Sequence, residues 1–166
     1  DTFGEITFTP YPVPIHVPDG GLAYLLEIQC ADGKKRKILY TGDLPLTDNF
    51  KVPEKSWTSW KKDLPFTDKD EIDLVIIEAN SWEPEPDTGH ISATESLEML
   101  NFWKPKQAIF THLSHEPSPK GEDIRTTDPL RRTHQELEDE IKKLERSNLL
   151  PCKKLLIAYD GMRIEI

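Results

Sequence analysis

Seven short segments rich in aliphatic and aromatic residues are spread along the chain, each bounded by glycine, proline or charged residues. Short apolar runs bounded in this way are typical of β-strands. The predicted strands cover residues 5–9, 22–29, 37–40, 73–78, 107–111, 154–159 and 162–166. Asp160-Gly161, between the last two, favours a tight hairpin. We therefore predict that the chain ends in a pair of antiparallel strands.

Helix signals lie between some of these strands. Ser92-Ala-Thr-Glu95 has the residues of a capping box, in which the serine caps an amide and the glutamate reaches back, so we expect a helix from there to about Trp103. Asp128-Pro129 predicts the start of a longer helix, with apolar residues at alternating spacings of four and three. A weaker helical pattern covers residues 56–63.

Length and composition exclude several classes of protein. A chain of 166 residues with 36% hydrophobic content has enough apolar residues for one packed core, so we predict a single domain over residues 1–166. The alternation of predicted strands and helices indicates an α/β protein, an α+β sandwich. The net charge of −9 disfavours binding of a long nucleic acid. No apolar run approaches the roughly 18 residues of a membrane span. Cys30 and Cys152 are too few for a disulfide scaffold, and we expect a cytoplasmic protein.

Histidines and a carboxylate stand where apolar runs give way to loops. Asp43 ends the run KILYTGD, His112 and His115 follow AIF, and His16 follows VPI. Reactive side chains in α/β proteins tend to lie at such points, because the sheet fixes the backbone while the loop leaves the side chain accessible. Imidazole and carboxylate ligands without a thiolate suit zinc, manganese or iron. The pattern therefore predicts a metal site.

Each of these residues also has an ordinary structural explanation. His16 could be a loop histidine without a special role, and Asp43 could be a turn or cap residue. His112 could be a core histidine bonded to a carbonyl. We expect His115 to support the site or lie in the loop rather than bind a metal. His134 lies on the apolar stripe of the second helix, where packing is the default.

His90 lies just before the first predicted helix. The free amides of a helix amino terminus, together with the helix dipole, attract phosphate or an oxyanion. An imidazole beside them could bind that anion or protonate a leaving oxygen. We therefore predict that His90 binds substrate and takes part in catalysis, with an extra cap beside Ser92 as the alternative.

The chain contains, in this order, six motifs that resemble the later half of the metallo-β-lactamase superfamily: PVPIHV, ILYTGD, DLVIIEAN, GHISATESL, AIFTHLSH and LIAYDGMRIEI. It looks most like the phosphodiesterase branch, which contains the phosphoribosyl cyclic phosphate phosphodiesterase of phosphonate breakdown and the tRNA 3′-processing endonucleases. The similarity runs through nearly all 166 residues. It implies the later portion of a metallo-β-lactamase αββα fold.

The resemblance also implies roles for four residues. His16 matches the histidine that completes the first metal site, Asp43 the aspartate that bridges two metals, and His112 the last ligand of the second metal. His90 matches the histidine that contacts the substrate phosphate and assists the leaving group. The implied cofactors are two divalent ions, zinc or manganese, with iron as a further candidate.

The HxHxDH motif of the superfamily is absent from the sequence. In the family it precedes the His16 region and supplies three histidines and an aspartate to the two metals. With His16, Asp43 and His112 alone, a metal pair lacks most of its protein ligands. We favour a missing segment that lies before Asp1 in a longer protein or in another chain. A noncatalytic remnant is the alternative.

The leading hypothesis is a metal-dependent hydrolase, a phosphodiesterase that acts on a small phosphodiester or cyclic phosphate through metal-activated hydroxide. Asp43 and His90 are the predicted catalytic residues. A thioester or lactone hydrolase with the same site and a noncatalytic interaction module are the alternatives. The expected partners are the small substrate, the segment or chain that completes the site, and a second copy in a homodimer. No membrane partner is expected.

Overall fold

A mixed sheet organises the part of the chain that the computed structural model describes, residues 5–13, 21–44, 71–84, 90–113 and 134–166. Six strands of these ranges lie in the sheet in the order in which they occur along the chain. They are β1 Ile6–Val13, β2 Gly21–Gln29, β3 Lys35–Tyr40, β4 Leu74–Glu78, β5 Gln107–Thr111 and β6 Lys154–Ile157. Strands β1 to β3 are antiparallel, whereas β3 to β6 are parallel.

Helix α1, Ala93–Trp103, connects the parallel strands β4 and β5. Its start is the predicted capping box: the Ser92 hydroxyl accepts from the Glu95 amide at 3.3 Å, and the Glu95 carboxylate accepts from the Ser92 amide at 3.0 Å. The helix is capped at its end by Lys104, which has a left-handed backbone and whose amide donates to the Leu100 carbonyl at 2.7 Å. The predicted first helix is therefore confirmed.

One face of the sheet, the helix-covered face, forms the core with α1 and with α2, His134–Arg146. A row of directly paired residues crosses this face from β2 to β6, and each of them is at most 7% exposed: Leu25, Leu39, Val75, Ala108 and Leu155. The helices contribute Met99, Leu100, Trp103, Leu137 and Ile141 to the same core. Burial of this apolar surface is the main force that holds the layers together.

The opposite face, which we term the open face, is also apolar. Because side chains alternate along a strand, the neighbours of the core row point there, and Phe8, Leu26, Ile38 and Leu74 form its paired row. Phe8 is 59% exposed on this face. Neither α1 nor α2 covers it, so the described part of the chain has two apolar sheet faces and helices on only one.

The predicted hairpin at the end of the chain is wrong. A turn does form at Gly161, whose φ is 79°, but residues 162–166 are not a strand. Instead the carbonyls of Glu165 and Ile166 accept hydrogen bonds from the side chains of Gln107 and Arg36, at 3.1 and 3.4 Å. Both donors belong to the open face, so the last residues lie along the sheet rather than beside β6.

Two helix predictions fall outside the described residues in whole or in part. Residues 56–63 are outside them, and so is the predicted helix start at Asp128. From residue 134 onward the second helix is present as α2, where His134 is partly exposed and lies 3.5 Å from Glu138. Neither of the described helices is long and apolar enough to cross a membrane.

Candidate metal centre

The carboxyl ends of β3, β4 and β5 bring polar side chains to one edge of the sheet. Asp43 lies just beyond β3, Glu78 is the last residue of β4, and His112 directly follows β5. Because these three strands are parallel neighbours, their ends meet. His90 joins them from the segment that leads into α1.

Sharp backbone turns aim two of these side chains at each other. Gly42, before Asp43, has a φ of 63°, and a Cβ atom there would lie 3.1 Å from the Leu22 carbonyl oxygen. His112 has a φ of 54°, which is uncommon for a residue other than glycine. The result is a contact of 3.0 Å between His112 Nδ1 and Asp43 Oδ1.

Asp43, His90 and His112 form the cluster of possible metal ligands in the described part of the chain. One donor atom from each residue lies within 4.8 Å of the other two. The rings of His90 and His112 meet edge to face, with centroids 4.9 Å apart. Side chains this close can share one cation, whereas their exposure, 55% for Asp43 and 44% for His112, leaves the cluster open to small molecules.

Glu78 lies beneath the cluster and has no exposed side-chain surface. Its Oε1 atom is 2.5 Å from His90 Nδ1 and 3.0 Å from His112 Nδ1. Its Oε2 atom accepts a hydrogen bond of 2.5 Å from the Leu44 amide. Burial raises the pKa of Glu78 to about 8; the Leu44 amide opposes this rise and the charge of Asp43 adds to it.

The donor set fits a divalent metal ion. Two imidazoles and one carboxylate, without a thiolate, suit zinc, manganese or iron. Glu78 Oε1 contacts Nδ1 of both rings, and Nδ1 of His112 also contacts Asp43 Oδ1. A buried carboxylate that orients imidazoles in this way is the usual outer partner of metal-binding histidines.

The structure brings together three of the residues singled out from the sequence, Asp43, His90 and His112. His16 and His115 lie outside the described residues, so their roles stay predictions. Sequence reasoning overlooked Glu78 as a site residue. Its signal was the same as that of Asp43 and His112, a polar side chain at the end of a buried strand.

The prediction that free helix amides bind an anion beside His90 is wrong for α1. The Ala93 amide donates to the Ser81 carbonyl at 2.7 Å, and the Thr94 amide donates to the Trp82 carbonyl at 3.1 Å. The Glu95 amide donates to the Ser92 hydroxyl. The Nδ1 atom of His90 faces Glu78. A role for His90 in substrate binding must therefore depend on its own ring.

Solved structures similar to this chain have the fold implied by the sequence motifs. The metallo-β-lactamase fold protein YhfI from Bacillus subtilis is 20% identical, with a TM-score of 0.56, and the match covers 97% of this chain and 50% of that one. A diphosphatase from the PhnP family is 20% identical, with a TM-score of 0.50 and coverages of 100% and 45%. A long form RNase Z from yeast is 16% identical, with a TM-score of 0.51 and coverages of 93% and 17%.

These matches confirm the predicted α/β fold of the metallo-β-lactamase type. No protein-family model matches the sequence. No curated protein matches it. The chain spans half or less of each of these solved structures.

Proposed function

We propose that this chain forms part of a metal-dependent hydrolase that cleaves a small phosphodiester or cyclic phosphate. The observation that carries the proposal is the convergence of Asp43, His90 and His112 over the buried Glu78 at one edge of the sheet. The presence of a PhnP-family diphosphatase and an RNase Z among the similar structures supports a phosphate ester as the substrate.

Two divalent ions, zinc or manganese or iron, would supply a bound hydroxide and neutralise charge on the phosphate oxygens. Asp43, His112 and His16 would hold the ions. Glu78 would keep the His112 ring in the orientation needed for binding, because its buried carboxylate fixes the Nδ1 side of that ring.

Of the three described residues that could hold a metal, we assign His90 to the substrate instead: it would hold the phosphate or give a proton to the leaving oxygen. The contact of 2.5 Å between Glu78 Oε1 and His90 Nδ1 would orient the His90 ring for this role. Proton donation to a leaving oxygen by a positioned imidazole is general acid catalysis.

The remaining metal ligands would come from an HxHxDH segment, located before Asp1 in a longer protein or in a second chain. The share of the similar structures that this chain covers, 50% of YhfI, leaves room for such a segment. We also propose a cytoplasmic location, in keeping with two free cysteines. The net charge of −9 favours a small substrate over a long nucleic acid.

The proposal is tested in the protein or complex that contains both this chain and the HxHxDH segment. Asp43→Ala should lower the metal content, because it removes a carboxylate that would hold the metals. His90→Ala should keep the metals and reduce turnover of bis-p-nitrophenyl phosphate by about 10²- to 10⁴-fold. Loss of metal in His90→Ala with full retention in Asp43→Ala would reverse the assigned roles.

Substrate choice separates the enzymatic alternatives. The phosphodiesterase should cleave bis-p-nitrophenyl phosphate and show no activity on thioesters or lactones. Thioester or lactone cleavage without phosphodiester cleavage would support the alternative hydrolase. Absence of bound zinc, manganese and iron from the complete protein would support a noncatalytic interaction module.

A further inference from the structure

The backbone of His112 is a point of strain in the candidate metal centre. The other described residues with a positive φ that are not glycine are Lys104 and Asn148, and both follow helices, where the left-handed conformation commonly ends the helix. His112 instead follows strand β5 and has a ring in the metal cluster. A strained conformation at such a place persists only when surrounding contacts hold it.

Asn80 contacts both segments that carry the imidazoles. Its side-chain Nδ2 donates to the carbonyl oxygen of His112 at 3.5 Å. Its backbone amide donates to the carbonyl of Ile91, next to His90, at 2.9 Å. The preceding amide, that of Ala79, donates to the Thr111 carbonyl at 2.9 Å. Two residues beyond β4 are thus bonded to both sides of the site.

We propose that Asn80 is a positioning residue whose side-chain amide holds the left-handed turn at His112, and thereby sets the place of this ring in the metal cluster. The backbone bonds of residues 79 and 80 can be made by any residue other than proline, but the bond to His112 requires a side-chain donor. The inference rests on the proposed metal site for its effect on function, whereas its effect on the backbone does not depend on metal.

The first test measures zinc affinity by competition with a chelating dye in the complete protein. Asn80→Ala and Asn80→Asp both remove the donor, and Asn80→Asp keeps the shape of the side chain and the backbone bonds. Each should weaken zinc binding about tenfold, as loss of a partner that orients a ligand usually does. Asn101→Ala, an exposed asparagine of α1, is the matched control and should bind zinc as the wild type does. Folded Asn80 variants with wild-type affinity would overturn the proposal.

The second test needs no metal. A left-handed residue gives a strong intraresidue NMR cross-peak between its amide and Hα protons, and metal-free wild type should show this peak at His112. In Asn80→Asp the peak should weaken and the Thr111 amide should shift, with no such change in Asn101→Ala. An unchanged His112 peak would show that Asn80 does not hold the turn. Failure of wild type to bind zinc would count against the proposed function alone, because this measurement still decides the role of Asn80.

Discussion

Glu78 is a site residue whose protonation changes on folding. Its pKa rises from 4.5 to about 8, chiefly because burial disfavours the charged carboxylate. Between these two pH values the folded chain keeps a proton that the unfolded chain has released. The free energy of unfolding of the metal-free chain should therefore fall as pH rises from about 5 to about 8, by up to about 1.4 kcal/mol per pH unit from this group.

Glu78→Gln isolates this contribution, because the amide keeps the shape of the side chain and cannot ionise. Urea unfolding at several pH values in the presence of a chelator measures it. The difference in free energy of unfolding between wild type and variant should become less favourable to wild type as pH increases, and become constant above about pH 8. Parallel pH profiles for the two proteins would mean that Glu78 is already ionised at low pH.

Gly42 offers a test of the turn that presents Asp43. Alanine there meets both an unfavourable φ of 63° and a contact of 3.1 Å with the Leu22 carbonyl oxygen, which belongs to strand β2. Gly33 is the matched control, since its φ is 77° but an added Cβ meets nothing within 4 Å. Both substitutions should be destabilising by about 1–2 kcal/mol through φ alone. Gly42→Ala should cost about 1 kcal/mol more than Gly33→Ala. Urea unfolding measures both free energies, and equal losses of stability would show that the contact with Leu22 does not restrict residue 42.

Some residues of the candidate site were predictable from the sequence, and others were not. Asp43 and His112 were predictable, because the end of an apolar run marks where a strand delivers a side chain to the sheet edge. Glu78 was overlooked, because a carboxylate at the end of a strand is common and its burial depends on residues distant in the chain. The contacts of Asn80 with His112 and Ile91 are likewise set by the fold.

At the scale of elements, α1 was predictable to its first residue because its start signal is local. The capping box needs only Ser92 and Glu95, three residues apart, and both of its bonds are present. The predicted hairpin at the end of the chain failed for the opposite reason. A turn at Gly161 is local, but whether the following residues pair with β6 depends on competing partners, and here Gln107 and Arg36 supply them.

The cap of α1 should also matter for stability, because Ser92 is buried. Ser92→Ala leaves the Glu95 amide and carboxylate without their hydroxyl partner, so the free energy of unfolding should fall by about 1–2 kcal/mol. Ser147→Ala, at an exposed position just after α2, is the control and should change it by less than about 0.5 kcal/mol. Thermal or urea unfolding measures both, and equal effects would mean that the cap is not needed once α1 is packed.

For the molecule as a whole, the sheet has two apolar faces, and both helices of the described residues lie on one of them. Leu74 and Ile109 of the open face are buried, yet Phe8, Leu22 and Tyr40 on the same face are about half exposed. A face of this kind usually marks an interaction surface. We propose that the polypeptide supplying the HxHxDH segment packs there, so that one interface would complete both the core and the metal centre.

Paired substitutions on the two faces test this arrangement. Phe8 is 59% exposed on the open face, so Phe8→Gln should change the free energy of unfolding of this chain by less than about 1 kcal/mol. Leu25, on the helix-covered face, is 7% exposed, and Leu25→Ala should cost about 2–5 kcal/mol.

In the complete protein the effect of Phe8→Gln should be larger. It should destabilise the protein about as much as substitution of other buried apolar side chains does, because the covering layer has removed Phe8 from water. A Phe8→Gln effect that is equally small in both settings would place the completing segment elsewhere and leave the open face to another partner, such as a second copy of the chain.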